Sequence, residues 1–139
     1  MKAKLFLQFS ILSIAISIIL GAFGAHALKD IFNDYSKEIW EKGILYQLTN
    51  SLGLLLIIIL QNQNLLKRKT ITLVLISLGI ILFSGSLYGL SLSISFFQDQ
   101  IWLTSLFGPI TPIGGTLIIT GWIHACLLYT SPSPRDGTS

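Results

Sequence analysis

Four stretches of this chain carry no Asp, Glu, Lys or Arg: 5–28, 43–66, 70–98 and 100–134. No other feature limits its fold as strongly. The hydrocarbon core of a bilayer is ~30 Å thick, and a helix rising 1.5 Å per residue crosses it in about 20 residues. Each stretch is long enough for one crossing and too short for two. A central Leu, Ile, Val or Phe favours insertion by about 0.3–0.6 kcal/mol, and a central Asp or Lys opposes it by about 2.5–3.5 kcal/mol. The sequence therefore predicts an all-α fold, an integral membrane bundle of four transmembrane helices. It reads as a single domain, 1–129, with spans at about 5–28, 43–66, 70–97 and 109–129.

Composition narrows the function. Of 139 residues, 52% are hydrophobic and 11% charged, against roughly 25% charged in a soluble domain. A small globule needs more charge than this to cover its surface, so a soluble enzyme, a disordered chain and a nucleic-acid binder are all disfavoured. The net charge of +3 comes from basic residues scattered towards the segment ends. The single cysteine, Cys126, leaves no internal disulfide and no zinc cluster to build. No Walker pattern, GxGxxG, HExxH or carboxylate pair appears, so no cofactor is expected. The expected partners are the lipid bilayer and either another membrane protein or a second copy of the chain, with no nucleic acid.

Lysine and arginine set the expected orientation. With four crossings, the N-terminus, the Lys67-Arg68-Lys69 loop and the C-terminus share one side, which holds Lys2, Lys4, Lys67, Arg68, Lys69 and Arg135. The other side holds Lys29, Lys37 and Lys42. Six against three places both ends in the cytoplasm. The first segment also has the basic start and the Ala25-His26-Ala27 pattern of a cleaved signal, but its apolar stretch exceeds the usual 7–15 residues. It reads as a retained span. Between the first two spans, residues 29–42 read as a loop or a short amphipathic helix. After Tyr129 the composition turns abruptly to a polar tail, 130–139. From Cys126 to Asp136 the chain resembles translated adaptor read-through, the alternative being a disordered polar tail. No function is placed on Cys126, Arg135 or Asp136.

Three patches depart from plain lipid-facing residues. Ser10, Ser13, Ser17, Gly21 and Gly24 step by three or four, which places them on one helix stripe where backbones can approach closely. His26 follows at the end of the segment, either as a neutral interfacial histidine or as a titrating site. In the second segment Tyr46, Gln47, Asn50 and Ser51 fall within an arc of about 140°, read as polar glue between helices or as the wall of a polar path. These are expected to turn inward and meet the first helix or the Thr111–Gly115 turn, with His26 as the titrating partner. In the third segment Ser77, Ser84 and Ser91 repeat every seven residues, and Gly85 and Gly89 form a small-xxx-small pair. The third patch, Phe107 to Gly115, holds Pro109, Pro112, Gly108, Gly114 and Gly115, and is expected to form a tight buried turn into the last helix. Gly114 and Gly121 mark a further helix contact.

These motifs in this order, Gly21-Ala22-Phe23-Gly24-Ala25-His26-Ala27-Leu28-Lys29, Tyr46-Gln47, Phe83-Ser84-Gly85-Ser86-Leu87-Tyr88, and Ile110-Thr111-Pro112-Ile113-Gly114-Gly115 with Gly121-Trp122, resemble the YgdD-like family. This is domain-of-unknown-function family 423, related to the eukaryotic transmembrane protein 256. The likeness spans about residues 5–125. It implies a multi-pass bacterial inner-membrane protein of no settled activity. The family tends to carry histidine where this chain has Asn50, which could replace it in hydrogen bonding but not in proton chemistry. The leading expectation is a non-enzymatic protein acting through helix packing or partner contacts. The alternative is a transporter or channel component for a small solute, with His26, Tyr46, Gln47 and Asn50 along its path.

Overall fold

The computed structural model describes residues 2–130. It has four helices: α1 (Lys2–His26), α2 (Asp34–Asn62), α3 (Thr70–Phe96) and α4 (Ile101–Thr130). All four are long and apolar enough to cross a membrane. The tail expected from residue 130 lies, beyond Thr130, outside the described residues. The helices do not close into an evenly packed square. The largest interface joins α3 to α4 and the next α2 to α3, while α1 lies mainly on α2 and touches α3 lightly.

Two helices begin well before the expected spans. α2 starts at Asp34 rather than near 43. Asn33 caps it in extended conformation, its Oδ1 accepting the Ser36 N–H at 2.7 Å, which satisfies one of the orphan donors of the first turn. The charges of this first section stand on its outer face, where Lys42 pairs with Glu38 at 2.6 Å. Its inner face buries Ser36, Ile39, Trp40 and Gly43, so amphipathicity carries the helix through a segment that charge alone marks as a loop.

α4 starts at Ile101 rather than near Pro109, and the expected turn across 107–115 is absent. The helix runs through Pro109 and Pro112. Each proline removes one N–H from the ladder. Within lipid an opened backbone has no water to turn to, so prolines in spanning helices are accommodated by local adjustment rather than by a break.

The interior has two halves. Towards the 63–69 connection, Leu54, Ile57, Ile58, Leu66, Leu73, Ile76, Ile80 and Ala125 form an apolar core, against which Phe6, Leu7 and Phe9 of α1 pack. Towards the middle and the far end, polar side chains such as Ser13, Ser17, Gln47 and Asn50 are buried alongside Ile39, Trp40 and Leu87. Much of the outer surface is apolar: Ile11, Ile18 and Ile19 of α1 and Ile113, Ile119 and Ile123 of α4 are all exposed, as side chains facing lipid must be.

Candidate functional site

The polar side chains near mid-membrane form a chain of hydrogen bonds centred on Gln47. Its Nε2 donates to the Ser13 carbonyl at 2.9 Å and reaches the Ser13 hydroxyl at 3.2 Å. Its Oε1 accepts the Tyr88 hydroxyl at 2.7 Å. Ser51 donates to the Ser13 hydroxyl at 2.8 Å. Three helices therefore meet on one amide, and both ends of that amide have partners. Ser13 lies at the middle of α1, Gln47 at the middle of α2, and Ser51 one turn further along.

A common geometry recurs around this centre. An aromatic ring on one helix lies against a glycine on the next, and its polar tip bonds an acceptor one turn from that glycine. Trp40 lies against Gly24, where a Cβ would come within 2.5 Å of the indole nitrogen. That nitrogen donates to the Leu20 carbonyl at 3.0 Å. Tyr88 lies against Gly43, where a Cβ would be 2.7 Å from the ring, and donates to Gln47. Trp122 fills the space over Gly53 and donates to Asn50 Oδ1 at 2.9 Å. The Trp40 and Tyr88 rings meet at 4.8 Å between centroids, and Phe32 joins Trp40 at 5.4 Å. The missing Cβ is what lets each ring come close enough for its tip to reach the neighbouring helix. In lipid such packing and hydrogen bonding stand in for the hydrophobic drive.

The polar residues singled out in the sequence do not all gather here. His26 is exposed at the end of α1. It is 13 residues from Ser13, or roughly 20 Å along the helix, so Gln47 meets α1 far from His26. Asn50 turns to α4 instead, and its Nδ2 donates to the Tyr46 carbonyl at 2.8 Å. Tyr46 is exposed, its ring at 4.9 Å from that of Phe83. Thr111 forms a separate contact, its hydroxyl 2.7 Å from that of Ser86.

The glycines divide in the same way. A Cβ at Gly89 would strike Phe107, one at Gly121 would strike Ile76, and one at Gly114 would enter the backbone of α3 at Phe83. Gly21 and Gly115 leave ordinary contact distances, to Ile44 and Phe83. Gly85, expected on a packing face, meets nothing within 4 Å. It opens instead onto a groove of about 370 Å³ between α1 and α3. Gly43, Gly53 and Gly79, which the motif reading missed, sit at close contacts. Spacing could have suggested the first, because Gly43, Gln47, Asn50 and Leu54 continue one face at intervals of three or four.

The hydroxyls and His124 complete the picture. Ser91 donates to the Ser36 carbonyl at 2.7 Å, whereas the buried hydroxyls of Ser36, Ser77 and Ser84 have no hydrogen-bond partner. Thr72 lies 2.7 Å from His124 Nδ1. A hydroxyl beside an imidazole is the arrangement of an activated nucleophile, but Thr72 has no exposed surface. The pair joins α3 to α4.

A family model described as a protein of unknown function, DUF423, matches residues 20–115. The chain belongs to this family. A UPF0382 membrane protein of Staphylococcus haemolyticus is 38% identical over 120 residues, which is 86% of this chain and 90% of the relative. One from Staphylococcus aureus is 40% identical over the same shares. The UPF0382 membrane protein YwdK of Bacillus subtilis is 36% identical over 121 residues, 86% of this chain and 91% of the relative. No solved structure matches. The DUF423 match takes in Trp40, Gln47, Asn50 and Tyr88 together with their socket glycines, while Ser13 and Trp122 lie outside it. With bacterial membrane-protein relatives and four spanning helices, the chain is a multi-pass membrane protein of unknown molecular activity.

Proposed function

We propose that this is a protein of the bacterial inner (plasma) membrane, with both ends in the cytoplasm, that works without catalysis through helix packing and contact with another membrane protein or a second copy. One observation carries the reading: the Gln47 amide is bonded at both ends, to Ser13 and to Tyr88. A solute path needs polar groups that can release their partners to a passing ligand or to water. An amide bonded on both sides in a low-dielectric interior acts as a fastener, because breaking it leaves an unpaired polar group in lipid.

The transporter reading keeps one point in its favour. The groove between α1 and α3 is lined by Ser13, Gln47 and Tyr88 as well as by apolar residues. Water access separates the two readings. Gly85 faces that groove without touching its wall, so Gly85→Cys in a Cys126→Ser background reports on the groove without displacing a neighbour. The contact reading expects a water-soluble maleimide to leave position 85 unlabelled in intact membranes. Labelling there as fast as at a loop cysteine would replace it with the transport reading.

A further inference from the structure

The two ends of the bundle differ in charge. All five acidic residues among the described ones, Asp30, Asp34, Glu38, Glu41 and Asp99, lie at the end formed by the 27–33 and 97–100 connections. The opposite end holds Lys2, Lys4, Lys67, Arg68 and Lys69 and no described acid. A cleft of about 330 Å³ opens at that basic end between α1, the end of α2 and the start of α3. Ala3, Ile58 and Leu73 supply its apolar lining, and Gln61, Arg68 and Lys69 its polar lining.

The cleft is held in shape. Arg68 Nε donates to the Gln61 carbonyl at 3.1 Å and Nη2 to the Asn62 carbonyl at 3.3 Å, so the guanidinium is fixed over the end of α2. The Gln61 amide reaches back to the Lys69 carbonyl at 3.4 Å. Lys69 precedes α3 without giving it a side-chain cap, and among the described residues no acid stands at this end to neutralise its ammonium.

We propose that this cleft binds the headgroup of an anionic phospholipid, with phosphate beside Arg68 and Lys69. Charge complementarity selects the occupant. A cleft with cations and no acid in its described lining, opening at the end of four spanning helices, lies at headgroup depth, where anionic lipid is the abundant counter-charge. A zwitterionic headgroup brings its own cation and gains less. The proposal does not depend on the contact reading above. It differs from the general preference of lysine and arginine for one membrane face in being local: Lys69 lines the cleft and Lys67 does not.

The test uses the full chain in detergent, titrated with phosphatidylglycerol or phosphatidylcholine and followed by melting temperature and by lipid retained in native mass spectrometry. Phosphatidylglycerol should raise the melting temperature and phosphatidylcholine should not. One surface lysine is worth about 1 kcal/mol to anionic lipid, or about fivefold. Lys69→Gln should therefore weaken phosphatidylglycerol about fivefold and Lys67→Gln by less than about twofold. Lys69→Gln leaves the carbonyl bonds of Arg68 in place, so the bundle should still assemble, which its unliganded melting temperature checks. Equal weakening by the two variants would overturn the proposal. So would equal stabilisation by phosphatidylcholine, or by inorganic phosphate at the same concentration.

Discussion

Gln47 is the residue whose replacement reports most directly on how the helices are joined. Interhelical hydrogen bonds in membranes average about 0.6 kcal/mol, with larger values where the alternative is an unpaired group. Gln47→Leu removes the contacts to Ser13 and Tyr88 together and should cost about 1–2 kcal/mol. Tyr88→Phe removes one of them and should cost less. Because the two share a bond, the double variant should fall short of the sum by about 0.5 kcal/mol or more, measured by denaturation in detergent. His26→Ala touches none of this and should stay within about 0.5 kcal/mol of the parent. Full additivity of Gln47→Leu and Tyr88→Phe would show that the 2.7 Å contact contributes nothing. The sequence brings Gln47 forward because an amide inside an uncharged run demands a partner, but it does not say which. His26 is the partner that chemistry suggests. The structure supplies Ser13 instead, since where α2 lies along α1 depends on Trp40 seating over Gly24, a fit no local pattern encodes.

At the scale of the element, the helices are set by where a Cβ is absent. Gly114 and Gly85 look alike in sequence, each in an apolar segment with another glycine nearby. They differ in what they face. A methyl at Gly114 would enter the α3 backbone at Phe83, while one at Gly85 meets open space. Gly114→Ala should therefore lower stability by about 1–3 kcal/mol, the usual cost of overpacking, and Gly85→Ala should be neutral or slightly stabilising, since Ala favours a helix over Gly. Equal melting of the two variants would show that α3 and α4 separate more easily than their contact suggests. The spans themselves are plain in the sequence because insertion energy sums over many residues and no charge interrupts it. Helix ends are less plain. Ile39, Trp40 and Gly43 carry the face of α2 back through a charged stretch, and Pro109 and Pro112 look like breakers when judged by their behaviour in water. In lipid the cost of an open backbone exceeds the cost of the missing N–H, and α4 continues through them.

For the whole molecule, the separation of charge between the two ends gives the final prediction, which concerns orientation. The side with the termini and the 63–69 connection counts six lysines and arginines, and the other counts three. Acidic residues contribute little to topology, so the five acids at the far end do not alter the comparison. A reporter that fluoresces only in the cytoplasm should give signal when fused after Lys69 and none when fused after Asp99. The sharper test changes the count. Replacing Lys67, Arg68 and Lys69 by Gln brings six down to three, level with Lys29, Lys37 and Lys42. If basic residues set the orientation, this variant should insert both ways, with signal at both fusion points. If the bundle were oriented by helix packing after insertion, the triple variant would keep signal at 69 alone. The variant also removes both cations of the proposed lipid cleft. The phosphatidylglycerol measurement therefore belongs to Lys69→Gln, which leaves five basic residues on that side, a clear majority, and so separates loss of lipid binding from loss of orientation.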